Sequence, residues 1–299
     1  MAQLAHEAAA SLRGPAAGGL TAGPGRPLPT LDGWRRVGEV VQLHCRRTPQ
    51  GVARSRDKSV TDGCPCDTGS PVIPWKLIDT AAVPGDGGEL RLLQRGAEFS
   101  IRLGHNELMN SRIHGSEEAL AEIACARIGR RPRPRVLIGG LGMGFTLRAA
   151  LDELSAEAQI VVAELVPAVI AWNRAELAPL SGQALDDPRV TVRLGDVGEA
   201  IRAERAAYDA ILLDVDNGPE GLSRGANDRL YDGRGLAAAF AALRPGGVLA
   251  VWSAGEDAKF TRRLAKAGFA VEEVRVRARG ARGGARHVIW LATSPGGRG

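Results

Sequence analysis

Aromatic residues make up 4% of the 299 positions, and cysteine occurs four times. Cys45, Cys64, Cys66 and Cys125 are too few and too irregularly spaced for a disulfide scaffold. Cys64-Pro65-Cys66 has only His44 and Cys45 nearby as further ligands, without the spacing of a zinc site, so no metal is expected. No stretch approaches the roughly 18 consecutive apolar residues of a membrane-spanning helix. The N-terminal residues also lack the basic start and apolar run of an export signal. A cytoplasmic protein with no membrane partner is expected. The glycine-rich stretch at 139–144 is not followed by Gly-Lys-Ser/Thr, which excludes a P-loop. The net charge of +5 comes from arginines dispersed among carboxylates rather than from a basic patch, so no nucleic-acid partner is expected.

What is present begins with enough apolar residue, 44%, for a proper core. Residues 1–72 stand apart: runs such as "AAASLRGPAAGGLTAGPGRPLPT" have neither helical nor strand periodicity, and a disordered extension is expected there. In residues 73–134, "ELRLLQRGAEFSIRLG" holds two alternating strands, 89–94 and 98–103, around Arg95-Gly96-Ala97. "GSEEALAEIACARI" then places Leu120, Ile123, Ala124 and Ile128 on one helical face, with Ser116 as the N-cap. This reads as a small β module and a linking helix.

From residue 135 to the end, strands and helices alternate. Strands are expected at 135–140, 159–165, 190–196, 208–214 and 247–253, with helices near 144–153, 167–178, 197–204, 233–243 and 257–267. Strands that are apolar on both faces imply a parallel sheet covered on each side, hence a doubly wound α/β domain. The segment "FAVEEVRVRARGARGGARHVIWLAT" adds a C-terminal antiparallel hairpin.

In such sheets the ligand sits at the carboxyl ends of the strands. There the chain delivers Gly139, Gly140, Gly142 and Gly144 after the first strand, Glu164 after the second, Asp196 after the third and Asp214 after the fourth. The glycines do not fit the i, i+2, i+5 fingerprint of a dinucleotide site, because positions 145 and 147 are Phe and Leu. Adenosine carrying a sulfonium fits better: the glycines approach its tail, Glu164 accepts the ribose hydroxyls and Asp196 accepts from the adenine amino group. The ordinary alternative for a strand-end Asp is a helix cap.

"VLIGGLGMGFTLRAAL", "VVAELVPAVIAWNR", "VTVRLGDVGEAI", "YDAILLDVDNGP" and "LAALRPGGVLAVWS" resemble successive motifs of the spermidine synthases, the polyamine aminopropyltransferases, within the S-adenosylmethionine-dependent methyltransferase folds. The resemblance runs from about residue 88 to 293. It implies a Rossmann-like methyltransferase fold and decarboxylated S-adenosylmethionine, or S-adenosylmethionine itself, as co-substrate. It also implies a small amine or other small acceptor, and a homodimer. Asp214 matches the family's catalytic Asp, and Asp216, Glu220 and Tyr231 are candidate contacts for the acceptor.

The chain departs from the family at three places. The loop acid of Gly-Gly-Gly-Asp-Gly-Gly is absent, with Leu141 and Met143 in the loop instead. Ser116-Glu117-Glu118 stands for Tyr-His-Glu, and Asp214-Val215-Asp216-Asn217-Gly218-Pro219 for Asp-x-x-Asp-Pro. Three functions therefore stay open: aminopropyl transfer, methyl transfer on the same scaffold, and a non-catalytic protein that keeps the fold for nucleoside binding or assembly.

Overall fold

The computed structural model describes residues 73–85, 88–215 and 229–296, all within the second of two units into which the chain divides, Asp67–Gly299. The segment expected to be disordered, 1–72, and the candidates Asp216 and Glu220 lie outside the described residues.

Four strands open the described chain: β1 (Lys76–Ala82), β2 (Glu89–Arg95), β3 (Glu98–Leu103) and β4 (Asn106–Asn110) form an antiparallel meander. Leu90 and Leu92 on β2 and Phe99 and Ile101 on β3 are buried and belong to the same hydrophobic cluster as the large sheet. The β module and the α/β part therefore share a core. Helix α1 (Gly115–Ile128) follows, with Glu117 and Glu118 in its first turn and Arg127 in its last, charges that oppose the helix dipole. His114, not Ser116, occupies its N-cap position, and Ser116 lies inside the first turn, fully buried.

Five parallel strands then form the centre: β5 (Arg135–Gly139), β6 (Gln159–Glu164), β7 (Val190–Leu194), β8 (Tyr208–Leu213) and β9 (Leu243–Ser253). Strands β10 (Ala270–Arg277) and β11 (Arg286–Thr293) close one edge as an antiparallel hairpin. The order is β10-β11-β9-β8-β5-β6-β7. Val136, Leu137, Ile138, Ile211 and Leu212 alternate between two clusters on opposite faces of the sheet and are almost fully buried. Each such side chain contributes about 1.5 to 3 kcal/mol relative to exposure.

Helices α2 (Phe145–Glu153), α3 (Pro167–Arg174), α4 (Val197–Arg202), α5 (Gly233–Ala242) and α6 (Ala258–Lys266) connect the strands. Their starts are written locally. Pro167 fits the first turn of α3, where no intrahelical N–H is lost, while Asp196, Asp232 and Asp257 cap α4, α5 and α6 by accepting from backbone N–H groups. At the opposite end of the sheet Asp209, 2% exposed, accepts from Arg131 at 2.8 Å, Arg244 at 2.7 Å and the Arg135 N–H at 2.8 Å, so this buried carboxylate is fully paired.

Candidate functional site

The chain leaves β5 toward β6 and β7 on one side, and β8 and β9 extend the sheet on the other, so the strand order reverses at β5. A crevice forms outside the strand ends at such a point. Parallel pairing sets Gly139 opposite Leu213, and the Asp214 N–H donates to the Gly139 carbonyl at 3.0 Å. The glycine turn and Asp214 thus meet by register.

Protein atoms approach all four glycines, and only two of the four border the cavity. A Cβ on Gly139 would lie 2.7 Å from Cγ2 of Val197, and one on Gly144 would lie 2.8 Å from Cβ of Ser181; both make room for the protein itself. Gly140, at φ +87°, would drive a Cβ into the Asp214 carbonyl oxygen, and Gly142, at φ +52°, faces the Met109 sulfur of β4. Gly140 and Gly142 line the cavity; Gly139 and Gly144 do not. Leu141 and Met143, which stand in the loop where the family has an acid, are buried in the core.

Glu164, 7% exposed, lines the cavity at the end of β6. Its Oε2 accepts from the Leu141 N–H at 2.9 Å and its Oε1 from the Val166 N–H at 2.8 Å, so one carboxylate ties the glycine turn to the start of α3. Burial pushes its pKa up, against the opposing pull of the Val166, Leu141 and Leu165 N–H groups. Asp196 also lines the cavity, and its Oδ1 caps α4 by accepting from the Glu199 N–H at 3.0 Å. The capping alternative is therefore realised, at a residue that still borders the cavity.

Asp214 lines the cavity where Thr146 Oγ1 donates to its Oδ2 at 2.6 Å. Enclosure of the carboxyl pushes its pKa up, and the Thr146 hydrogen bond pulls the other way. Glu117, from the first turn of α1, lines the same cavity as Glu164, Asp196 and Asp214. Its pKa is raised to about 7, first by burial and then by the charge of Asp214. Two carboxyl groups facing one small space cannot both ionise freely. Glu117 was not among the expected site residues, because acids in a first turn are also what the helix dipole favours.

Tyr231 is 2% exposed, packs edge-on against Phe260 with ring centroids 5.6 Å apart, and is not among the described residues that line the cavity. Its neighbours in the chain before 229 lie outside the described residues.

Apolar side chains complete the enclosure: Leu90, Leu103, Leu108 and Met109 from the N-terminal meander and Trp252 from β9. The site is an acid-lined crevice at the switch point of a methyltransferase-like fold, roofed by a separate antiparallel sheet.

Residues 114–267 match the spermine/spermidine synthase domain, and the chain belongs to that family. Putrescine N-methyltransferase 1 of Nicotiana tabacum is 37% identical over 124 residues, 41% of this chain and 31% of that protein. A polyamine aminopropyltransferase of Mycobacterium tuberculosis is 37% identical over 119 residues, 39% of this chain and 22% of that protein. The matches thus span about a third or less of these relatives' length. The crystal structure of spermidine synthase from Thermotoga maritima superposes with a TM-score of 0.57 at 20% identity, covering 73% of this chain and 72% of that one, which shows a shared fold. None of the described helices is long and apolar enough to cross a membrane.

Proposed function

We propose that this chain transfers an aminopropyl group from decarboxylated S-adenosylmethionine to a polyamine. The observation that carries the reading is the charge of the cavity: its described lining holds Glu117, Glu164, Asp196 and Asp214 and no lysine, arginine or histidine. Such a wall suits a ligand that is itself cationic, a sulfonium on one side and an amine on the other. Gly140 and Gly142 let the backbone approach the nucleoside's tail, Glu164 receives the ribose hydroxyls on lone pairs its backbone donors leave, and Asp196 borders the adenine. Asp214 orients the acceptor amine and takes its proton. The nitrogen then attacks the carbon beside sulfur, the carbon–sulfur bond breaks, and a neutral thioether leaves without help from an acid. Asp216 and Glu220 follow in sequence as carboxylates for the acceptor's remaining charges, and a homodimer is expected on the family resemblance.

A second reading, methyl transfer from S-adenosylmethionine, is favoured by one observation: Leu141 and Met143 leave the loop without the acid that would repel that cofactor's own carboxylate. The named relatives include enzymes of both kinds. Incubation with each nucleoside and putrescine or spermidine, followed by mass spectrometry, separates the two. An aminopropyl adduct with methylthioadenosine supports the first reading; a methyl adduct with S-adenosylhomocysteine replaces it with the second. Nucleoside binding without either product would leave the non-catalytic reading.

A further inference from the structure

A chain of polar side chains leads from the cavity wall into the layer between α1 and the sheet. The Ser116 hydroxyl donates to Glu117 Oε2 at 2.6 Å, and His287 Nδ1 lies 2.9 Å from the same Ser116 oxygen. Ser116 is fully buried, at 0% exposure, so its hydroxyl has no water to turn to. His287, on β11, is half-buried, with Trp252 edge-on to its ring at a centroid distance of 4.8 Å. Three groups able to give and take a proton are therefore in contact, one end on the cavity and the other on a side chain that solvent reaches.

We propose that Glu117, Ser116 and His287 form a proton relay that carries the acceptor amine's proton out of the cavity. The relay rests on the transferase reading for its purpose, and on these contacts for its existence. Glu117 receives, across the cavity both line, the proton that Asp214 has taken from the ammonium, and becomes a neutral acid. It then gives that hydrogen from Oε2 to Ser116 Oγ while the Ser116 hydrogen passes to Nδ1 of His287. The imidazolium so formed loses its Nε2 hydrogen to solvent. The relay ends with Glu117 ionised, Ser116 donating to it as observed and His287 protonated on Nδ1; exchange of the imidazole hydrogens with solvent returns the Nε2–H tautomer, and rotation of the Ser116 hydroxyl toward Nδ1 resets the chain for the next proton. Ser116 and His287 act through Glu117 and are positioning residues.

The electrostatic setting suits a carrier that releases what it takes. Glu117 faces the Asp214 carboxyl from the end of β8 and Glu118 on its own helix, whose Oε1 lies 3.0 Å from His114 Nδ1. Burial alone lowers the His287 pKa, so the imidazolium sheds its proton readily near neutrality. Thr146 completes the picture on the other branch: Oγ1 lies 3.3 Å from the Glu117 carbonyl oxygen, but its single hydrogen goes to Asp214 at 2.6 Å.

The test has two arms, both on the full chain. In ¹⁵N NMR without substrate, the His287 ring nitrogens, assigned by loss in His287→Gln, are expected to show an inflection near pH 7 that reports Glu117 and is absent from Glu117→Gln and Ser116→Ala. A wild-type His287 blind to that pH range, or an inflection surviving in Ser116→Ala, overturns the relay. In turnover, Ser116→Ala is expected to lower kcat at pH 7 about tenfold with the nucleoside KM unchanged. The deficit should close as pH rises toward the amine's own pKa, about 10 if Lys is a guide. An equal loss at every pH would make Ser116 merely structural. If the wild type transfers nothing to any amine, the transferase reading fails while the NMR arm still decides the relay.

Discussion

Thr146, in the first turn of α2, donates its hydroxyl to Asp214 at the end of β8 over 2.6 Å. That single bond favours the ionised form of a carboxyl that its surroundings push toward neutrality. Thr146→Val is therefore expected to raise the Asp214 pKa further and move the acid limb of the pH–rate profile to higher pH. Asp214→Asn should keep nucleoside affinity and slow transfer by about 100-fold, the usual scale for a lost general base, with rescue at high pH as the amine arrives neutral. Steady-state kinetics across pH checks both; an unshifted limb in Thr146→Val would detach that hydroxyl from the chemistry.

Glu164→Gln reaches further than the proposed ribose contact. Each carboxylate oxygen of Glu164 faces a backbone donor, Leu141 N–H and Val166 N–H, so an amide necessarily turns its NH₂ toward one of them. The variant should lose about 1 to 3 kcal/mol of stability as well as nucleoside affinity, measured by denaturant melts and calorimetry in parallel. Glu164→Gln with an unchanged melt would contradict the tie described between loop and helix.

The glycine turn gives a graded series. Gly140→Ala combines a positive φ of +87° with a collision against a fixed carbonyl, and should be strongly destabilised. Gly142→Ala carries a φ of +52° but meets the flexible end of Met109, whose sulfur would be 2.8 Å away and can swing aside. Its cost should be smaller, about 1 kcal/mol. Equal melting temperatures for the two variants would overturn this ordering.

Glu117 also links stability to pH. Its pKa rises from 4.5 to about 7 on folding, so the native state holds the proton more tightly than the unfolded chain. Its contribution is full below pH 4.5 and is lost as pH climbs through 7. Between those limits the wild type should lose about 1 to 2 kcal/mol through this group, allowing for the solvent that reaches a half-buried side chain. Glu117→Gln should flatten that part of the curve in urea melts.

The central strands were legible because their residues are apolar on both faces, a pattern that only a sheet covered on each side requires. β1 and β4 were not, since "KLIDTAA" and "NELMN" lie largely exposed at the edges of a four-stranded sheet and carry no alternation. At the site, Asp196, Glu164 and Asp214 followed from one rule, that strand ends face the crevice. Which glycines face it did not follow, because Val197 and Ser181 approach Gly139 and Gly144 only through tertiary packing. Glu117 was hidden for a similar reason: a helix's acidic first turn looks the same in sequence whether it faces water or a cavity.

Met109 occupies the space that Gly142 leaves by having no side chain. A nucleoside tail of the kind proposed would, on approaching that stretch of loop, displace a thioether rather than bulk water, so the protein would compete there with its own ligand. Shortening residue 109 would remove the competitor, so tighter binding accompanied by a less stable roof is the signature of this self-occlusion.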